Sequence, residues 1–304
     1  MMGLRHRILK DFQRNKIIYF MLMPVVLYYL VFHYYPMYGV QIAFKDFSPG
    51  KGIWHSPWND FRYFQQFFQG IYFWRLLRNT LLLSFYDIVF VFPSSILLAL
   101  LLNELRSRMF KRTVQSIVYL PHFISLVVIV GMMVDFLSSD GLVNRIAVFF
   151  GGEAASYLQQ PSMFRTLYTA SSVWQSIGWG SIIYLAAIAT IDVSLYEAAK
   201  VDGAGRFKQM LHITLPGILP TIAILFILRM GSLMAVGDEK VLLMYNPVTY
   251  ETADVIGTYV YRKGVLDASF GFSTAIGLFN SSINFILLII TNYLSKRLQG
   301  TRLW

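Results

Sequence analysis

Ionisable and amide side chains embedded in apolar sequence are the residues best placed to do chemistry in this chain, because a charge in such surroundings is costly and is retained for a purpose. Asp87 interrupts one apolar run, where a carboxylate could relay protons or pack against a partner subunit. Arg229 stands toward the end of another, where it could meet a sugar hydroxyl or carboxylate, or simply snorkel to an interface. Asn280 and Asn284 are four residues apart and so share a helix face, able to hydrogen-bond sugar hydroxyls or a neighbouring helix. Trp174 and Trp179, with Gly178 and Gly180 beside them, suit ring stacking or close helix packing. The stretch 236–272, with Asp238, Glu239, Tyr245, Asn246, Tyr250, Glu251 and Asp254, mixes acids, amides and aromatics as a sugar-facing surface requires. This is chemistry that binds and passes a solute.

Other chemistries lack their residues. The chain has no cysteine, so a disulfide framework, a thiolate metal site and a cysteine nucleophile are all excluded. Its five histidines (His6, His33, His55, His122 and His212) have no metal-ligand spacing, and no His-Glu-x-x-His occurs, so no metal site is expected. No Gly-x-x-x-x-Gly-Lys-Ser/Thr loop is present to cradle nucleotide phosphates. We expect neither an enzyme nor a resident cofactor.

The elements that must position these residues are membrane helices. In 304 residues, 56% are hydrophobic and only 14% charged, more apolar material than one water-soluble core can use. Bilayer-length apolar stretches fall at about 17–35, 76–102, 113–137, 166–190, 213–235 and 273–294, which predicts an all-α polytopic protein with about six transmembrane helices in one domain, 17–294. The first is read as an uncleaved span, because bulky His33-Tyr34-Tyr35-Pro36-Met37 follows it where a signal peptidase needs small residues. The basic N-terminus 1–16, the segments 103–112 and 191–212 and the tail 295–304 carry more than half of the 26 Lys and Arg in far fewer positions than the opposite loops, which places both termini in the cytoplasm. The net charge of +10 therefore suits anionic lipid headgroups, and no nucleic-acid partner is expected. Residues 36–75, crowded with Trp54, Trp58, Tyr63, Phe64, Phe67, Phe68, Tyr72, Phe73 and Trp74, suit the headgroup level or a docking surface.

Between the fourth and fifth stretches, the cytoplasmic loop 191–212 reads as two helices and a turn. Ser194 followed by Glu197 forms a capping-box pattern, Ala198 and Ala199 permit close approach, and Gly203 supplies a left-handed stop. Phe207, Met210 and Leu211 then make an amphipathic entry into the fifth span, near Pro216. A short capped helix tied stiffly to two spans is what a mechanical coupler needs. Glu197-Ala198-Ala199, three residues, Gly203, nine residues, then Ile213-Thr214-Leu215-Pro216 resembles, element for element, the EAA loop of permease subunits in binding-protein-dependent ABC importers. Weaker likeness to permeases of oligosaccharide and polysaccharide-fragment importers runs through Tyr35–Lys45, Arg78-Asn79-Thr80-Leu81, Tyr119–Ser125, Leu243–Pro247 and Glu251–Ile256, and so covers most of the chain. Gly237-Asp238-Glu239-Lys240 is more charged than that pattern.

The resemblance implies a type I ABC importer permease fold. It implies that Glu197, Ala198, Ala199, Asp202, Gly203 and Ala204 couple to an ATPase subunit, and that ATP and Mg belong to that subunit. It further implies two ATPase subunits, a second and distinct permease, an extracytoplasmic solute-binding protein, a sugar substrate, and a bacterial or archaeal cytoplasmic membrane. Arg229, Asp238, Glu239, Tyr245, Asn246, Asn280, Asn284 and Trp174 are the candidate pathway residues. The alternative is a cation-coupled secondary transporter built around Asp87, which would leave the EAA loop without a role.

Overall fold

A computed structural model describes residues 11–235 and 238–299. Among these residues the secondary structure is helical throughout, apart from a single bridge between Lys45 and Trp58. Four helices are long and apolar enough to cross a bilayer: α1 (Lys16–Phe44), α2 (Phe73–Glu104), Leu126–Phe149 and Phe270–Arg297. Two bent pairs raise the number to six: Pro161–Ile188 with Val193–Val201, turned by 77°, and Arg206–Gly217 with Leu219–Met230, turned by 57°.

Breaks in the expected spans fall where the backbone chemistry requires them. The stretch expected at 113–137 is two helices, α3 (Arg108–Tyr119) and α4 (Leu126–Leu137), separated at Pro121. Pro121 cannot donate a helical hydrogen bond, and the Ser125 hydroxyl accepts the Val128 amide to start α4 afresh. The membrane-length unit continues into α5 (Leu142–Phe149), while α3 is strongly amphipathic and follows a basic turn. The fourth unit is α6 (Pro161–Ile188), continued by α7 (Val193–Val201). The fifth bends at Ile218, between α8 (Arg206–Gly217) and α9 (Leu219–Met230), where Pro216 and Pro220 flank the break. A short α10 (Asp238–Met244), then α11 (Ile256–Tyr261), lead to α12 (Phe270–Gln299).

Packing is organised around α2, α6, α9 and α12. Gly178 of α6 approaches the α3 backbone so closely that a methyl group there would lie 1.9 Å from the Val118 carbonyl oxygen, and Gly180 does the same toward Ser95 of α2. Close helix packing is thus the role of these two glycines. Toward one end of the bundle, Leu83, Phe164, Tyr168, Val241 and Val255 form one core cluster, and Phe67, Leu76, Met234, Ile256 and Ile276 another. Toward the opposite end, Ala99, Leu100, Tyr184, Ile188 and Ile218 form a third. By contrast, α1 buries no side chain before Ala43, so its apolar length faces outward, as a helix against lipid or another membrane chain does. The aromatic segment splits: Phe67 packs with Phe73 and Phe279, whereas Trp54, Trp58 and Trp74 are exposed.

The loop 246–256 is stapled to α2. Asn79 Nδ2 donates to the carbonyls of Glu251 (2.9 Å) and Asp254 (3.0 Å), and the Thr80 hydroxyl accepts the Ile256 amide at 3.0 Å. Asp254, with no exposed side-chain surface, is held by both Arg262 (2.6 Å) and Arg75 (3.3 Å). Burial opposes the charge of Arg262, but its hydrogen bonds to Asp254 and Tyr245 outweigh that and hold its pKa above the usual value.

Candidate functional site

The coupling segment is built by local chemistry that the loop sequence carries in full. α7 begins two residues earlier than the capping pattern suggests: Asp192, not Ser194, is the N-cap, its carboxylate accepting the Ser194 amide at 2.9 Å. That bond holds the Asp192 pKa below the ordinary value. Asp outcompetes Ser here because it lies in the extended residue just before the first helical turn, while Ser194 is already helical. Glu197, Ala198 and Ala199 lie within α7, and Asp202 is its C-cap. Gly203 adopts φ +75°, its amide donates to Lys200 O (3.1 Å) and the Ala204 amide to Ala199 O (2.8 Å). This is the paired hydrogen bonding of a Schellman stop, which needs the left-handed residue that glycine supplies.

Three further contacts fix the segment to the bundle, and the sequence pattern alone did not single them out. Gln209, buried, donates from Nε2 to Ala204 O at 2.7 Å. Tyr196 and Thr214 share a hydroxyl hydrogen bond of 3.0 Å that ties α7 to α8. Arg206 donates to Glu104 O at 3.2 Å and so reaches the end of α2. The opposite side of α7 offers Val193, Leu195 and Val201 to the surroundings, Val201 being 89% exposed. Ser194, Glu197, Ala198 and Lys200 are exposed beside them, so this firmly anchored helix presents a mixed apolar and polar surface of the kind another protein can seat on.

The candidate pathway residues do not converge on one site. Arg229 does not snorkel. It donates from Nε and Nη2 to both carboxylate oxygens of Asp87, which lies about midway along α2 at a widened helical turn, Asp87–Val91, just ahead of Pro93. Such a turn absorbs the hydrogen bond that proline cannot make. Asn280 and Asn284 serve helix packing: Asn280 Nδ2 donates to Met234 O (3.2 Å) and Asn284 Oδ1 accepts the Met234 amide (2.8 Å). Asn246 caps the turn after it, accepting the amides of Val248 and Thr249. Tyr245 stacks near Tyr250 and accepts from Arg262. Glu239 is exposed on α10, and the Asp238 side chain lies outside the described residues. Trp174 is half-exposed and stands apart from the cavity that Arg229 borders.

That cavity, of about 380 Å³, adjoins the third core cluster, with which it shares Tyr184 and Leu225. Ser95, His122, Ser176, Trp179, Arg229 and Ser232 supply its polar and aromatic wall. The His122 and Trp179 rings stack face to face, centroids 4.4 Å apart and 3° from parallel. Trp179, rather than Trp174, is therefore the tryptophan of this site, and the signal for it was the flanking pair of glycines that bring its turn of α6 against α2 and α3.

Residues 67–300 match the family of binding-protein-dependent transport system inner membrane components. The polygalacturonan/rhamnogalacturonan transport system permease protein YteP of Bacillus subtilis (strain 168) is 44% identical over 294 residues, covering 96% of this chain and 92% of its own. A solved bacterial ABC transporter involved in the import of the acidic polysaccharide alginate contains a chain 44% identical, with a TM-score of 0.90, covering 96% of this chain and 99% of that one. A bacterial alginate ABC transporter in complex with alginate pentasaccharide-bound periplasmic protein gives a TM-score of 0.90 at 43% identity, covering 98% of this chain and 100% of that one. With its EAA segment, its helical bundle and a match over most of its length, the chain belongs to the inner-membrane permeases of binding-protein-dependent ABC transport systems.

Proposed function

We propose that this chain forms half of the translocation pathway of an ATP-driven importer for an oligosaccharide, delivered by a binding protein on the outer side. A second, distinct permease completes the pathway, two ATPase subunits hydrolyse Mg-ATP, and both termini of this chain face the cytoplasm. The observation that carries the reading is α7: capped by Asp192, stopped at Gly203, anchored through Tyr196, Gln209 and Arg206, and exposed along Val193, Leu195, Glu197 and Val201. Closure of the ATPases would move such a helix as a lever, and its anchors would pass the movement to α2 and α8, switching the pathway between inward- and outward-facing states. The polygalacturonan/rhamnogalacturonan and alginate systems to which the chain is similar support the oligosaccharide assignment.

The test is co-purification of the tagged chain with the ATPase, followed by ATP hydrolysis with and without loaded binding protein. Gly203→Asp, which places a side chain and a charge at the stop of α7, is expected to abolish association or stimulation. An ATPase that never associates, together with a silent Gly203→Asp, would sink the importer reading. The cation-coupled alternative needs an available intramembrane carboxylate, and Asp87 is engaged through both oxygens by Arg229.

A further inference from the structure

The cavity beside the Asp87–Arg229 pair holds the ingredients for recognising one sugar unit of a particular kind. Trp179, 46% exposed, and His122 present a flat stacked wall, the surface on which a pyranose ring packs. Opposite in chemistry, Arg229 spends Nε and Nη2 on Asp87, which leaves Nη1 free to donate, on a side chain 43% exposed at the cavity wall. Bidentate pairing also locks the guanidinium plane, so the remaining donor edge is preorganised.

The electrostatics decide which sugar. Asp87 cancels the charge of Arg229, but a second cation stands above it on the same face of α6. Lys240, 6% exposed, donates to the Ser172 hydroxyl at 2.9 Å and lies over the Tyr168 ring, with no carboxylate in ion-pair range among the described residues. Ser172 is one turn from Ser176, which lines the cavity, an axial separation of about 6 Å. Lys240 does not itself line the cavity, but a buried cation with no described carboxylate partner, held about one helical turn from the cavity wall, biases the cavity toward an anion.

We propose that this cavity is a subsite for one uronate residue of the transported oligosaccharide, its ring against Trp179 and its carboxylate at the free edge of Arg229 within the field of Lys240. The proposal rests on the importer reading above and adds to it the charge of the substrate and the residues that read it.

The experiment uses the assembled complex of this chain with its partner permease and ATPase, in lipid nanodiscs without binding protein. Equilibrium binding of tri-galacturonate is compared with that of its carboxyl-reduced, neutral counterpart. Wild type is expected to prefer the uronide. Trp179→Leu and the charge-neutral double variant Asp87→Asn/Arg229→Gln should each weaken it about tenfold, the size of one lost stacking contact in the first and one lost charge-assisted contact in the second. Trp179→Phe should restore binding, and co-purification of the ATPase reports that each variant is assembled. Equal binding of both sugars, no saturable binding to wild type, or unchanged binding in assembled variants overturns the subsite. Uptake into proteoliposomes with binding protein present separates the two claims: uronide bound but not transported refutes the importer, whereas uronide transported with variants indistinguishable from wild type refutes the subsite alone.

Discussion

Asp87 and Arg229, 142 residues apart in sequence, meet at the middle of the bundle, where the guanidinium closes on both carboxylate oxygens and joins α2 to α9. Asp87 is almost fully buried while Arg229 keeps part of its surface toward the cavity, so the two halves of the pair are not equivalent. Arg229→Gln strands a buried carboxylate and should cost about 2–3 kcal/mol, toward the low end for a broken buried pair because the arginine side is partly solvated. Asp87→Asn leaves a cation that can reorient and should cost less. The double variant should recover most of the loss, seen as a melting midpoint near wild type in detergent. Additive losses would mean that the pair is not coupled.

The same pair bears on energy coupling. A carboxylate whose two oxygens are both taken up by one guanidinium offers no free oxygen to a proton pathway. Uptake in proteoliposomes with ATP inside should therefore persist when a protonophore collapses the pH gradient. Loss of uptake under those conditions, with ATP hydrolysis intact, would return Asp87 to a proton-coupling role.

How far the sequence could be read follows from the range of each interaction. The EAA segment was legible because its stop, its small residues and its proline entry are local, and Gly203 is left-handed as its position requires. Its N-cap was misplaced by two residues because Asp192 and Ser194 are both competent caps, and only the backbone conformation chooses between them. The partners of Asn280 and Asn284 were not legible, since Met234 reaches them only through the packing of the segment after α9 against α12. Asn79-Thr80 and Glu251–Ile256 each carried family likeness in isolation; folding hydrogen-bonds one to the other.

At Gly203 the cost of substitution is conformational rather than steric, because a Cβ there would meet nothing within 4 Å. Gly203→Asn, which tolerates the left-handed region, should retain ATPase association. Gly203→Ala should cost about 1 kcal/mol, and Gly203→Val, β-branched and excluded from that region, should lose association altogether. This ranking is checked by co-purification yield. If Ala and Val behave alike, backbone conformation is not what the coupling helix needs there.

Asn284 offers the clean contrast between structure and transport. Asn284→Leu fills similar space but leaves the Met234 amide without its acceptor in a fully buried position, a loss of about 1–3 kcal/mol. Sugar binding by the assembled complex should be unchanged. A lowered melting midpoint with unaltered tri-galacturonate affinity is the expected result, and a selective loss of affinity would restore Asn284 to the pathway.

Lys240 makes the pH dependence of stability a readout of the cavity's charge. Burial pushes its ammonium down to about 8, from the ordinary lysine range near 10.5. Between those values the unfolded chain binds more protons than the folded one, so stability should rise as pH increases from about 8 toward 10.5, and the full cost of the buried charge should be present below 8. The span corresponds to roughly 3 kcal/mol at most, since the Ser172 hydroxyl and the Tyr168 ring already favour the charged form. Lys240→Met should remove this dependence and raise the melting midpoint at pH 7, because a similar volume is buried without desolvating a charge. It should at the same time weaken tri-galacturonate binding, since the cation disfavoured by folding is the one that draws the anion in. A Lys240→Met protein that is more stable and binds the uronide as wild type does would separate the buried lysine from the substrate and leave Arg229 as the cavity's cation.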